Sequence, residues 1–176
     1  KNDDINYSEI IGQSTSKRVM QIAAAGKHNV LLYGTPGAGK TMLARALPSI
    51  MPPLSRKEEI EIAKIYSASG LFSGDATIAR PFRNPHHTIT RTALVGGGKE
   101  VKAGEITLAH NGVLFLDELP EFQKNALEVL RQPLEDNCVT ISRANGTYTY
   151  PAKFMLVASM NPCPCGYYGS TTHTCT

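Results

Sequence analysis

The sequence predicts an α/β layered fold on a mainly parallel sheet. Three observations carry that expectation. Short apolar runs recur at VLLY (30–33), VLFL (113–116) and FMLVA (154–158); stretches with helical apolar spacing lie between them; and a glycine-rich run, GTPGAGKT at 34–41, sits where the first apolar run gives way to a helix. Apolar runs of four or five residues without alternation suit strands covered on both faces, which is how parallel sheets with crossover helices are built.

The elements follow in order. Ser14 or Thr15 is placed to cap a first helix with Val19, Ile22 and Ala23 on its apolar face, and Gly26 to end it. Residues 30–33 read as a buried parallel strand. A helix follows from about Lys40, with Leu43, Ala46, Leu47 and Ile50 on one side; Pro48 bends or closes it and Pro52 and Pro53 stop it. Ser55 and Glu58 form a capping-box pattern for a helix through about Ser67, with Ile62, Ile65 and Tyr66 apolar. Residues 70–105 are glycine-rich and basic and give no regular period. After the strand at 113–116, residues 122–132 fit a helix with Leu127 and Leu130 inward. Two short runs, 139–142 and 147–150, flank RANG, an Asn-Gly hairpin signal.

The glycine-rich run matches G-x-x-x-x-G-K-[ST] at every fixed position, in the strand-to-helix context that the motif needs. Glycines allow positive φ and a close wrap, so that successive N–H groups face phosphate oxygens, with the following helix start adding partial positive charge. Gly34, Thr35, Pro36, Gly37, Ala38, Gly39, Lys40, Thr41 and Met42 are therefore the expected nucleotide-binding residues, with Lys40 on the terminal phosphates and the Thr41 hydroxyl on Mg²⁺. The run at 113–116 ends in Asp117 and Glu118. Asp117 is the expected partner of the metal and Glu118 the base that polarises an attacking water. The third strand runs out at Ser159-Met160-Asn161, where the Asn161 amide could meet the γ-phosphate or position water. Asn-Lys-x-Asp, the guanine-reading signature, is absent, which favours ATP.

With these residues in place, the chain resembles the AAA+ ATPases. The resemblance sharpens at PFRNPHHT (81–88), LVGGG (94–98), GEITLAHNGVLFLDELPEF (104–122), RQPLED (131–136) and MNPCPCG (160–166), which are similar to the magnesium-chelatase-related ATPases of the YifB/ComM type. It covers nearly the whole chain. It implies an αβα P-loop NTPase core with a helix-2-type insert at 70–105 and a β-hairpin at 139–150 before the sensor-1 position, Asn161. It places Ile10 and Ile11 near the adenine. It implies a homo-oligomeric ring, a hexamer in the full-length protein, and for ComM-type members a branch-migration helicase of natural transformation. On that reading Lys99, Lys102 and Arg143 are candidate DNA contacts, their charge suiting phosphate. A chelatase-type motor for metal insertion and a nucleotide-gated assembly module with little hydrolysis are the rival functions.

The expected organisation is an αβ core over 1–162 and a cysteine-containing tail over 163–176, ending before the helical lid and its sensor-2 arginine. The trans arginine finger is also expected to lie outside the chain, so that this segment alone turns ATP over very slowly. Cys163, Cys165 and Cys175 are candidate Zn²⁺ ligands, with His173 or a later residue as the fourth. His86 and His87, adjacent on an extended segment, are expected to point opposite ways and to chelate poorly. The 176 residues are 41% hydrophobic, enough for one core, and the net charge of +3 permits an anionic partner without requiring one. The polar start has no apolar signal region, no run is long enough to span a membrane, and three of the four cysteines crowd the C-terminal tail, a poor disulfide framework; a reducing cytoplasmic setting is expected.

Overall fold

The computed structural model describes residues 6–72, 77–97, 102–143, 146–166 and 168, with the Arg143 side chain excepted. Its centre is a parallel sheet of β1 (Val30–Tyr33), β8 (Met155–Met160), β5 (Val113–Leu116) and β2 (Phe82–Arg83), side by side in that order. Val30 lies opposite Val157, Val113 opposite Met155, and Phe82 opposite Val113. All three strands read from the sequence are present and parallel.

Alternation along the two central strands sorts the core into two layers. Val113, Phe115 and Val157 face one side, against Met20, Ala23 and Ala24 of α1 (Ser14–Gly26) and Leu43, Ala44 and Ala46 of α2 (Lys40–Ala46). Leu114, Leu116 and Ala158 face the other, against Leu94 of α4 (Arg91–Val95), Ile106 of α5 (Glu105–Leu108) and Ala126 of α6 (Lys124–Glu128). The four residues of β5 are fully buried, so truncating Phe115 to alanine would cost about 3–5 kcal/mol. This is the layered α/β fold on a parallel sheet that the apolar runs predict, in the αβα form that the resemblance implies.

Local chemistry explains most boundaries. Ser55 and Glu58 form the capping box that starts α3 (Arg56–Ala68). Pro48 closes α2 into a short 3-10 turn, Leu47–Ile50. Asn137, in a left-handed conformation, ends α7 (Arg131–Asp136) and leads into the hairpin of β6 (Cys138–Arg143) and β7 (Gly146–Pro151).

Several expectations are corrected. α1 is capped by neither Ser14 nor Thr15: Gln13 is its N-cap, left-handed at φ 51°. The buried face is Met20, Ala23 and Ala24, while Val19 and Ile22 are about half exposed. Six apolar residues spread around this helix leave two possible stripes, and packing chooses. β1 is an edge strand rather than a buried one, with Leu31 54% and Tyr33 60% exposed. The helix expected at 122–132 is broken: a 3-10 turn at Leu119–Glu121, then α6, then α7 with Pro133 inside it. Residues 70–105 are not wholly separate from the core, because Phe82–Arg83 joins the main sheet against β5. A two-residue strand is too short to leave a period in the sequence.

Two glycine contacts hold that region down. A Cβ on Gly112 would lie 2.1 Å from the Pro81 carbonyl oxygen, so only glycine lets the chain entering β2 reach β5. A Cβ on Gly104 would meet Gly96 N at 2.3 Å, which closes the small hairpin of β3 (Gly96–Gly97) and β4 (Lys102–Ala103).

Candidate nucleotide-binding site

The site lies at the carboxyl ends of β1, β8 and β5, where parallel α/β sheets bind ligands. The glycine-rich loop leaves β1, with Gly34 N–H donating to the Met160 carbonyl at 3.3 Å, and wraps into α2 with positive φ at Gly37 (76°) and Gly39 (78°). From the other side, Gln13 at the head of α1 donates its amide to the Ala38 carbonyl at 2.6 Å. The strained conformation of Gln13 thus places a side chain that braces the loop.

Lys40 and the strand-end residues converge here. Lys40 Nζ donates to the carbonyls of Gly34 (2.7 Å) and Thr35 (2.9 Å) and to Asn161 Oδ1 (3.0 Å). Thr41 Oγ1 donates to Asp117 Oδ2 at 3.0 Å. Ser159 Oγ donates to the other carboxylate oxygen of Asp117 and accepts the Glu118 N–H at 3.2 Å. Glu118 itself is left-handed (φ 56°), which turns its side chain out of the strand line. A cavity of 610 Å³ opens over these groups, lined by 36–42 of the loop together with Arg45, Asp117, Glu118, Ser159 and Asn161.

These residues fit a magnesium nucleotide. A hydroxyl and a carboxylate side by side are hard oxygen donors suited to Mg²⁺. The lysine cation is held over the loop by neutral oxygens, which a phosphate oxygen would outbid. The backbone cradle takes phosphate by close approach, which side chains at Gly37 and Gly39 would oppose.

The expected residues Lys40, Thr41, Asp117, Glu118 and Asn161 therefore lie together. Gly34 and Thr35 supply the carbonyls that hold Lys40. Ile10 and Ile11 diverge: Ile10 is buried in the core cluster, its carbonyl accepting from Lys17 Nζ, while Ile11 is 94% exposed. Cys163 and Cys165 have their sulfurs 3.0 Å apart, and Gly166 beyond them presses on the loop, since a Cβ there would lie 2.7 Å from Pro36 Cγ. Cys175 lies outside the described residues, among which no group of three or more histidine, cysteine or acidic residues could hold a metal ion. Lys102 is exposed on β4; Lys99 and the Arg143 side chain lie outside the described residues.

Two contributors escaped sequence reasoning. Ser159 shares a strand face with Asn161 by the two-residue period, and that register is the signal that would have found it. His87 is the other. His86 and His87 do not point apart as expected, because residues 87–88 form a turn rather than extended chain; their rings lie 4.1 Å apart. His87 Nδ1 stands 3.8 Å from Glu118 Oε2.

Comparison with known proteins agrees with this geometry. The family model described as "Magnesium chelatase, subunit ChlI" matches residues 6–176. The chain belongs to that family. Its relatives include YifB of Salmonella typhimurium, 51% identical over 96% of this chain and 33% of that protein, and competence protein ComM of Haemophilus influenzae, 51% identical over 95% of this chain and 33% of that protein. The 67 kDa magnesium-chelatase subunit of Chlorobaculum parvum is 26% identical over 90% of this chain and 23% of its own length. The chain thus spans about a third of the YifB and ComM proteins it matches. Among solved structures, the magnesium-chelatase BchI–BchD complex aligns with a TM-score of 0.68 at 23% identity over 90% of this chain and 55% of the other. NtrX of Brucella abortus, solved with ATP, aligns at 0.59 and 22% identity over 94% of this chain and 35% of the other. These likenesses establish the fold of an AAA+ P-loop NTPase core for this member of the ChlI family.

Proposed function

We propose that this chain is the ATP-binding and ATP-hydrolysing core of a ring-forming motor that acts on DNA. The observation that carries the reading is the meeting of Lys40, Thr41, Asp117 and Asn161 through hydrogen bonds of 3.0 Å or less at one end of the sheet. Lys40 and the loop amides bind the phosphates. Thr41 and Asp117 hold Mg²⁺, which supplies a Lewis acid when bound. Glu118, outside the hydrogen-bonded core of the site, takes a proton from water, and Asn161 orients the groups around it. Ile11, exposed two residues before the Gln13 that braces the loop, is the apolar contact for adenine.

The DNA assignment leans on likeness to ComM, a competence protein, with Lys99, Lys102 and Arg143 as the phosphate contacts. A hexameric ring and a cytoplasmic setting belong to the same reading; no helix among the described residues is long and apolar enough to cross a membrane. Cys163, Cys165 and Cys175 would give three of the four ligands of a structural zinc, which elemental analysis of the full-length protein tests. The decisive experiment measures ATP turnover by the full-length protein with and without branched DNA. Stimulation by DNA that disappears in Glu118→Gln is the expected result. Turnover indifferent to DNA favours the chelatase-type motor, a reading that the Chlorobaculum relative also supports. ATP-dependent assembly that survives Glu118→Gln, with negligible turnover in the wild type, would make the chain an assembly module instead.

A further inference from the structure

His87 is not used by the site as built above, yet it stands over the proposed base. Glu118 has its backbone pinned by Ser159, but its carboxylate is 56% exposed, and among the described residues its ion-pair partner within 4 Å is His87, Nδ1 to Oε2 at 3.8 Å. Glu118 also lies on a border. It lines the 610 Å³ cavity over the phosphate loop and a second cavity of 390 Å³, lined by His87, Glu121, Asn161 and Cys163 among others. A carboxylate shared by two cavities has two ways to turn. A general base works only when aimed at its water, so a neighbour that restricts that choice contributes to the rate.

The His87 ring is itself held in place. It lies against the His86 ring, with centroids 4.1 Å apart, and meets Phe122 edge-on at 6.5 Å. His86 is fixed in turn by Thr88, whose Oγ1 lies 2.9 Å from His86 Nδ1. The His87 side chain is about a third exposed, so the imidazole is positioned by contacts rather than locked in a core. Phe122 ends the turn that begins at Glu118, so the same short segment carries both the carboxylate and the wall behind its histidine.

We infer that His87 is a positioning residue for Glu118: its Nδ1 edge, set by His86 and Phe122, orients the carboxylate at the mouth between the two cavities. The inference rests on the reading of Glu118 as the base. It assigns the NPHH segment a part in hydrolysis through the acid rather than through a metal.

The test uses full-length protein and steady-state ATP hydrolysis. His87→Ala should lower kcat by about 10-fold, the scale of losing a group that orients a reacting one, and leave KM for ATP within about two-fold. His87→Asn, whose amide nitrogen falls near the place of Nδ1, should recover most of the loss. Glu118→Gln is measured alongside: if it retains wild-type turnover, the reading of Glu118 fails and the inference with it. If Glu118→Gln is inactive but His87→Ala keeps full kcat, or gains, or if KM rises in step with the fall in kcat, only the inference is overturned. A thermal melt of each variant accompanies the kinetics. A rate loss that tracks lost stability in both His87 variants, with no rescue by asparagine, marks a packing role and also overturns it.

Discussion

The two ends of the parallel sheet treat polar groups in opposite ways. At the carboxyl end, Lys40, Thr41, Asp117 and Asn161 satisfy one another under an open cavity of 610 Å³. At the amino end most of the polar groups are closed onto backbone. Arg80 donates to the carbonyls of Asn111 and Pro52, Asn29 accepts the Leu156 N–H at 2.8 Å, and buried His110 accepts the Lys153 N–H at Nδ1 and donates from Nε2 to Glu61 at 3.1 Å. Those bonds join one chain segment to another, and the 210 Å³ cavity beside them is lined by no carboxylate or hydroxyl side chain. The contrast teaches that a hydrogen-bonded cluster marks a binding site when its partners are exchangeable, and a structural clamp when the partner is a backbone group that has no other donor or acceptor.

The difference can be broken by mutation. Lys40→Met should abolish nucleotide turnover by about 100-fold or more, as removal of an electrostatic anchor does, with the melting temperature unchanged. If the melting temperature collapses as well, the carboxyl end is a clamp too. Gly112→Val at the amino end should do the reverse, costing about 3 kcal/mol or more because the new side chain collides with Pro81 O, as read by denaturant unfolding. Arg80→Met comes next. It strands two carbonyls whose donor burial already disfavours in its charged form, and should cost about 2 kcal/mol with no change in nucleotide affinity.

The smallest effect is on pH. Burial holds His110 below its ordinary value of 6.5, outweighing the opposing pull of Glu61. The unfolded chain therefore takes up a proton at pH values where the folded chain does not, so stability present above about pH 6.5 is lost progressively as pH falls toward the lower folded value. Thermal melts between about pH 7.5 and pH 5.5 should show the loss, and His110→Gln should flatten it. An unchanged slope would mean that the amino-end cluster does not resist protonation as its burial requires.

Legibility in the sequence followed the same divide. The carboxyl-end groups sit at fixed spacings on strong local signals: the loop motif fixes Lys40 and Thr41, and an apolar run ending in two acids fixes Asp117 and Glu118. The amino-end clamp joins Glu61, Arg80, His110 and Lys153, whose separations in sequence carry no period, so nothing local announces it. The same cause hid β2, where two residues pair with β5 only because Gly112 admits them, and His87, which reaches Glu118 across a 31-residue gap through a turn. The exposed side of α1 was misjudged because its residues allow two apolar stripes and only the packed sheet decides between them.

Ser159 touches both acids, one through its hydroxyl hydrogen and the other through its oxygen. A single side chain on β8 is thus a yoke. The hairpin enters that strand at one end and Asn161 leaves it at the other, so a load on either flank would tug the Asp117 carboxylate and the Glu118 backbone in step, without passing through the nucleotide. In a machine that converts hydrolysis into movement, that is where force and chemistry would share a part, and a serine-to-alanine change there would slacken the linkage while sparing both acids.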